Sequence, residues 1–209
     1  SVNENETLTD KLVETAGAMY MRLGIKSVSM DDVAREMGVS KKTIYTVVDN
    51  KHELVRLVLE NDACKDIEVI TANHLAAKDA IDEFLRNSRY FIRQLREISP
   101  AAMRDLQKYY PNVWKEQVEG HHEEFRHSVA ANLERGMEEG LYRDDLDSDI
   151  VARLYVASMM SIIDRTVFPA TDRPLIDIIS EHARYHFHGI TNRFGRERLE
   201  HYLREEGLD

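Results

Sequence analysis

The feature that most constrains the fold is a helical spacing of apolar residues along nearly the whole chain. Apolar side chains recur three or four residues apart, first at Leu8, Leu12, Ala16, Met19 and Leu23, and later in longer runs. This is the period of an amphipathic helix, and no long segment alternates with the period of two that strands require. The four prolines fall between these runs, where a helical protein tolerates them. We therefore predict an all-α fold.

Capping residues and glycines indicate where the predicted helices begin and end. Thr7 and Asp10 form a capping box before the first helix, which Gly24 ends. A second helix, 30–37, follows Ser29 and ends at Gly38. The further predicted helices cover 41–48, the segment from Asn50 towards Ile70, 81–95, one long helix between Pro111 and Gly140, 150–167, the segment from Pro174 to Ile190, and a tail near 199–203.

Composition favours a globular protein of the cytoplasm. The longest stretch without a formal charge, Leu154 to Ile163, has ten residues, whereas a membrane-spanning helix needs about 20. The first ten residues carry three acidic residues and no basic one, unlike a secretory signal. Cys64 is the sole cysteine, so neither an internal disulfide nor a cysteine metal site can form. We expect no membrane contact.

The net charge of −10 is unevenly distributed. Residues 1–56 hold 8 basic and 9 acidic residues, while 57–209 hold 20 and 29. Because DNA binding depends on the local field at the docking surface, the nearly neutral first part is compatible with it. The acidic remainder is expected to contact something other than phosphate.

Residues 29–48 are spaced as a helix-turn-helix, the motif that places its second helix in the major groove of DNA. Gly38 suits the left-handed backbone of the turn. If Ile44 faces the core, Val47 and Val48 share its face. The outward side of 41–48 then carries Lys42, Thr43, Tyr45 and Thr46, with no acidic residue.

Lysine and hydroxyl side chains can read base edges, and Tyr45 can reach a phosphate. Ser40 and Lys41 lie where free backbone N–H groups attract phosphate, and Lys51 is a further candidate contact. The alternative is a tight helical corner with solvated lysines that binds no DNA. A plain corner does not require the acid-free face, which therefore favours DNA.

The run from Ser29 to Tyr45, SMDDVAREMGVSKKTIY, followed by NKHEL at 50–54, resembles the N-terminal domain of the TetR family of transcriptional regulators. The resemblance covers about residues 8–60. It implies a homodimeric DNA-binding regulator, usually a repressor, whose C-terminal body holds a small-molecule pocket. Carried over by position, the implied DNA-contacting residues are Ser40, Lys41, Lys42, Thr43, Tyr45 and Lys51, with Ser29 capping the preceding helix.

The resemblance also implies a domain division and a dimer interface. Residues 1–50 would form the three-helix DNA-binding domain and 51–209 the helical ligand-binding and dimerisation domain. Dimerisation is expected through the helices near 148–168 and 174–191. Two departures, Lys42 for a usually small residue and Val48 for a usual aromatic, affect the operator sequence more than DNA binding itself. An activator is an open alternative to a repressor.

Aromatic and methionine side chains concentrate around Pro100 and Pro111 and recur in the helix after 148. Such residues suit an adaptable apolar pocket for a small-molecule effector, and suit an ordinary core equally well. The candidate pocket residues are Tyr90, Phe91, Met103, Leu106, Tyr110, Trp114, Tyr155 and Met159.

Acid–histidine pairs invite a metal interpretation. Glu119 with His122 and Glu124 with His127 each match half of a di-iron motif. Both pairs lie on one predicted helix, about 140° apart by the helical repeat, so they cannot face one centre. A solvated polar face is the better interpretation, although a metal-binding or protein-interaction module remains the rival function.

His182 and His186 are spaced to share one helix face. Packing at the dimer seam is the favoured interpretation, with a metal or a pH response as alternatives. No nucleophile–base pair, glycine-rich phosphate loop or metal-ligand cluster stands out. We therefore expect no catalysis, metal or cofactor.

Overall fold

The computed structural model describes residues 7–163, 166–169 and 172–205. Within these ranges helices are joined by turns and there is no strand, only an isolated bridge between Tyr142 and Thr191. The all-α prediction is confirmed. The helices are α1 (Leu8–Leu23), α2 (Met30–Met37), α3 (Lys41–Ile44), α4 (Lys51–Ala76), α5 (Ala80–Glu97), α6 (Pro100–Tyr109), α7 (Pro111–Gly120), α8 (His122–Glu138), α9 (Ser148–Ile163), α10 (Leu175–Ile190) and α11 (Arg193–Glu205). Across the described ranges, no helix is both long enough and apolar enough to cross a bilayer.

The predicted caps of the first two helices are confirmed. Thr7 and Asp10 form a reciprocal capping box on α1, as Ser29 and Asp32 do on α2. Gly24 and Gly38 end these helices with φ of 87° and 68°, values that side chains with a Cβ rarely adopt.

The predicted single helix between Pro111 and Gly140 is wrong. It is interrupted at His121, whose φ of −107° and ψ of 6° depart from helical values, directly after Gly120. Glycine is a poor helix former, so the interruption falls where propensity is weakest. The sequence reading also missed α6, although Ser99 as N-cap and Pro100 at the first position are a common start signal.

Two further helices differ from their predicted bounds. The predicted helix 150–167 begins earlier, at Ser148, and ends at Ile163; residues 164–165 lie outside the described residues, and 166–167 form a turn. The predicted helix 41–48 is α-helical only over Lys41–Ile44. Thr46 Oγ1 donates to the Thr43 carbonyl at 2.6 Å, and such local side-chain bonds compete with helical hydrogen bonding.

The chain divides into two compact units. The first comprises the described residues up to Asp66 together with Arg96–His121, and the second comprises Ile67–Leu95 with the described residues from His122 onward. These two units are defined by packing, whereas the boundary predicted from the sequence separates DNA binding from ligand binding. The predicted functional boundary after residue 50 stays a prediction.

Each unit has its own apolar core. In the first, α1, α2, α3 and the start of α4 surround fully buried Leu12, Val33, Ile44 and Leu54. In the second, Ile81, Leu133 and Tyr142 are buried with Phe187 and Ile190.

Buried charge in the second unit is paired. Glu83 is fully buried, 3.0 Å from His74 Nδ1 and 3.4 Å from the Arg135 guanidinium. Asp79 accepts hydrogen bonds from Arg198 and the Tyr202 hydroxyl. Pairing of this kind is what makes burial of a carboxylate tolerable.

Candidate nucleic-acid interface and ligand cavity

The short helix α3 is held by residues on its inner side. Ile44 is 0% exposed and Val48 is 2% exposed, so both anchor the segment in the first core. Ser40 caps the helix by accepting from the Thr43 N–H at 3.1 Å. The orientation of the segment is therefore set by packing and capping, because four residues are too few to form a stable helix alone.

The outer side of this segment faces solvent. Lys42, Tyr45 and Thr46 are exposed, Tyr45 to 43% of its surface. Within the described part of the chain, the Lys42 ammonium has no ion pair or hydrogen bond. The exposure agrees with the helical spacing, and contact of these three residues with DNA stays a prediction.

The other residues of the predicted DNA-contacting set are engaged within the protein. Lys41 forms an exposed ion pair with Asp31 at 3.0 Å, which raises the pKa of its ammonium. The hydroxyls of Ser40 and Thr43 lie 2.8 Å apart. The Ser29 hydroxyl donates to Asp32 at 2.6 Å, so its role in the structure is the predicted cap. The polar groups of these residues are thus used in contacts within the protein.

Lys51 points inward. Its ammonium donates to the carbonyls of Ile25 at 2.6 Å and Val28 at 2.5 Å, and lies over the Tyr20 ring. Partial burial lowers its pKa. Two of its three N–H groups hold the loop before α2. Its phosphate contact therefore stays a prediction, and Lys51 is not part of the interface proposed below.

The helix α6 braces the same loop, a contact that sequence reasoning missed. Asp105 accepts from the Lys26 backbone N–H at 2.8 Å, and the Lys26 ammonium donates to the Tyr109 hydroxyl at 3.3 Å. The Ser99 N–H donates to the Met21 carbonyl at the end of α1. The period of α6 alone could not reveal which helix it packs against.

This packing places half of the candidate pocket residues in the first unit. Met103 and Leu106 lie on α6, and Tyr110 and Trp114 lie at the start of α7 and within it, all in the first unit. Leu106 belongs to the first core, with Tyr110 and Trp114 packed against it. These four residues do not line the cavity described next, because they lie in the first unit.

A cavity of about 100 Å³ lies within the second unit. Phe91, Tyr155 and Met159 of the candidate set line it, and Tyr90 does not. The other lining residues are Ile70, Phe84, Asn87, Ser88, Ile92, Phe125, Ser128, Val129, Asn132, Ile179, His182, Ala183 and His186.

His182 and His186 belong to this wall of the cavity. The His186 ring lies 4.3 Å from the Tyr155 ring and 6.1 Å from Phe84. Burial lowers the pKa of His182, and burial with the nearby His182 lowers the pKa of His186 to about 4. Both rings are therefore neutral at neutral pH. Their spacing on one face of α10, which faces Tyr155 of α9, was the signal that could have revealed them.

The helix-turn-helix region matches a known family. Residues 12–58 match the family of bacterial regulatory proteins named tetR, and these residues contain the capped α2, the Gly38 turn and the exposed side of α3. The N-terminal domain of the chain belongs to the TetR family of transcriptional regulators.

Two curated regulators share sequence with this chain. The negative transcriptional regulator IcaR of the Staphylococcus epidermidis biofilm operon is 27% identical over 67 residues, which cover 32% of this chain and 36% of IcaR. The transcriptional repressor KstR2 of Mycolicibacterium smegmatis is 25% identical over 158 residues, 69% of this chain and 72% of KstR2. The first match thus spans about a third of the relative's length.

The fold extends the likeness beyond the N-terminal region. A transcriptional regulator from Saccharomonospora viridis, crystallised in complex with choline, superposes with a TM-score of 0.62 over 88% of this chain and 98% of its own. The two sequences are 19% identical, so the similarity shows a shared TetR-like fold and nothing about the ligand.

The metal interpretation gains no support from the structure. Among residues 7–163, 166–169 and 172–205, no three histidine, cysteine or acidic side chains come together as a metal site would require. His182 Nε2 instead lies 2.5 Å from the Ser158 hydroxyl oxygen. That hydroxyl donates to the Tyr155 carbonyl at 2.7 Å, which accounts for the serine–histidine contact without a nucleophilic role.

Proposed function

We propose that this chain is a ligand-responsive repressor that binds a pseudo-palindromic operator as a homodimer and is released by a small molecule. The observation that carries the DNA contact is the outward side of the α3 segment, where Lys42, Tyr45 and Thr46 are exposed above the buried Ile44. A free lysine beside hydroxyl groups suits both base edges and phosphates.

Exposed apolar residues on the second unit support the homodimer. Ile150 and Leu154 lie one helical turn apart on α9 and are 55% and 64% exposed, and Tyr185 on α10 is 79% exposed. Exposed apolar patches on a folded chain mark interaction surfaces. Two copies paired through α9 and α10 would present two α3 segments, as half-sites about 34–36 Å apart require.

The cavity supports regulation by a small molecule. Aromatic and methionine side chains enclose it in the second unit, separate from the α3 segment. A ligand that prefers a form with unsuitably spaced α3 segments must weaken DNA binding by the same factor. Roughly 1–3 kcal/mol of coupling suffices for a 5- to 150-fold release.

The test begins by selecting duplexes that the purified protein binds from a random-sequence pool. Fluorescence anisotropy then compares the unmodified protein with Lys42→Ala and Tyr45→Ala. We expect each substitution to weaken binding by roughly 5- to 150-fold, which corresponds to about 1–3 kcal/mol for a base or phosphate contact. Binding should weaken steeply with salt, and Lys42→Ala should reduce that slope by about one.

The control is Lys115→Ala, which removes an equal charge from α7. Lys115 is 72% exposed and its ammonium lies 3.7 Å from Glu119. We expect it to leave affinity nearly unchanged. Equal affinity of the unmodified protein and both α3 variants would disprove the assignment. A reporter gene behind the selected duplex then distinguishes repression from activation.

A further inference from the structure

The proposed release of DNA by a small molecule leaves the chemistry of that molecule open, and the cavity of the second unit constrains it. An apolar cavity of about 150 Å³ holds benzene. A cavity of about 100 Å³ therefore admits a ligand of about one ring once a flexible wall residue such as Met159 yields. A larger ligand would have to extend out of the cavity towards solvent or part the helices around it.

The wall of the cavity carries no formal charge. None of the described lining residues is an aspartate, glutamate, lysine or arginine. Burial keeps His182 and His186 neutral at neutral pH by lowering the pKa of each. An ion of either sign would lose its hydration here without gaining an opposite charge, which is costly in a protein interior.

Aromatic rings give the cavity one feature that a cation could use. Phe84, Phe91, Phe125 and Tyr155 all line it, and the faces of such rings attract cations. No carboxylate accompanies them in the wall. A cation would therefore depend on ring faces alone, so we treat it as the competing class.

Hydrogen bonding leaves two histidine sites of the wall without a partner among the described residues, the buried Nδ1 of His182 and the ring nitrogens of His186. The His182 Nε2 is committed to Ser158, whose own proton goes to the Tyr155 carbonyl. Within the described part of the chain, His186 has ring contacts with Tyr155 and Phe84 and no hydrogen bond. A neutral imidazole offers one donor and one acceptor. It can therefore bind a hydroxyl or a carbonyl oxygen.

We propose that the effector is a small, uncharged, largely apolar molecule of about one ring, with a hydroxyl or carbonyl oxygen that hydrogen-bonds to His186. This inference rests on the proposed function, because it assigns a chemical class to the ligand of that regulator. It also excludes carboxylates, phosphorylated compounds and quaternary ammonium compounds as the preferred effectors.

The experiment titrates the full chain at pH 7.5, by calorimetry, with benzyl alcohol, benzoate and benzylammonium. These three probes have nearly equal size and differ in charge. We expect benzyl alcohol to bind and both ions to bind at least about tenfold more weakly. His186→Phe keeps a ring and removes the hydrogen bond, and should weaken benzyl alcohol about fivefold. His188→Phe, on the exposed side of the same helix, should have no effect.

Each other result overturns the proposal. Tighter binding of benzylammonium would assign the cavity to cations, and tighter binding of benzoate would assign it to anions. Absence of benzyl alcohol binding, or binding that survives filling of the cavity by Ala183→Leu, would remove the cavity as its site. Should a variant fail to fold, the charge series on the unmodified protein still decides.

DNA affinity measured on the same preparation separates the two proposals. Intact DNA binding without benzyl alcohol binding refutes only the ligand class. Benzyl alcohol binding in a protein that binds no duplex refutes the proposed function and leaves the cavity assignment standing.

Discussion

His186 should make the folded protein less stable in acid. Burial lowers its pKa from the ordinary 6.5 to about 4, so between these values the unfolded chain binds a proton that the folded chain excludes. The contribution of His186 to the free energy of unfolding is therefore fully present above about pH 6.5. This contribution is lost as the pH falls towards 4. The whole difference corresponds to about 3 kcal/mol, and most of it is lost by pH 4.5.

The perturbation is His186→Phe, which keeps an aromatic ring against Tyr155 and cannot titrate. Urea unfolding followed by far-ultraviolet circular dichroism gives the free energy of unfolding at pH 7.5 and at pH 4.5. We expect the loss between these pH values to be smaller in the variant by about 2–3 kcal/mol. Protein concentration must be equal throughout, because dimerisation would add to apparent stability.

Groups that do not interact with His186 change the total pH profile but not this difference, whereas the neighbouring His182 is part of it. Burial and the nearby Asp66 raise the pKa of Asp62 to about 6, so this carboxyl stabilises the folded state as the pH falls, opposite in sign to His186. Asp62 is present in both proteins and its contribution cancels. His188→Phe, a change at an exposed histidine, should leave the profile unaltered. Parallel profiles for the unmodified protein and His186→Phe would refute the claim that burial keeps His186 neutral.

Four further substitutions test the packing and the caps by urea unfolding. A Cβ at Gly136 would lie 2.1 Å from the Tyr142 ring, so Gly136→Ala should destabilise the protein by about 3 kcal/mol. Gly120 has open space around it, so Gly120→Ala should instead stabilise the protein by about 0.5–1 kcal/mol. Ser29→Ala removes the α2 cap and should cost about 1 kcal/mol. Lys51→Met leaves two loop carbonyls without their donor and should cost about 2 kcal/mol while weakening DNA binding. An unchanged midpoint in any of the destabilised variants would show that the corresponding contact contributes nothing.

The parts of the fold that could be predicted from the sequence are those with local causes. The capping box at Thr7, the N-cap at Ser29 and the left-handed Gly38 depend on neighbours three or four residues away, and all three are found as expected. The exposed side of the α3 segment also followed from spacing around Ile44. The length of α3 did not, because side-chain bonding at Thr46 competes with helix continuation.

The parts that could not be predicted depend on which helices pack together. The period of α6 and α7 shows that each has an apolar face but not that this face meets the first core, where Leu106 and Trp114 lie. The cavity was identified only through Phe91, Tyr155 and Met159. Histidine is a polar residue type, so the sequence alone does not mark His186 as part of an apolar cavity. Its position opposite Tyr155 is what makes it a candidate ligand contact.

The brevity of α3 has a consequence for how such a regulator acquires new operators. Its pose is fixed from beneath by Ile44 and Val48, while the side chains of Lys42 and Tyr45 above them take little part in holding it, and Thr46 bonds only to the Thr43 carbonyl. If the outer residues contact DNA as proposed, they can be exchanged without loss of the scaffold, and binding preference can then diverge between duplicated copies. Conversely, a substitution at Val48 that adds or removes a methyl group would tilt the three outer side chains together. It would change the preferred operator sequence from a position in the core.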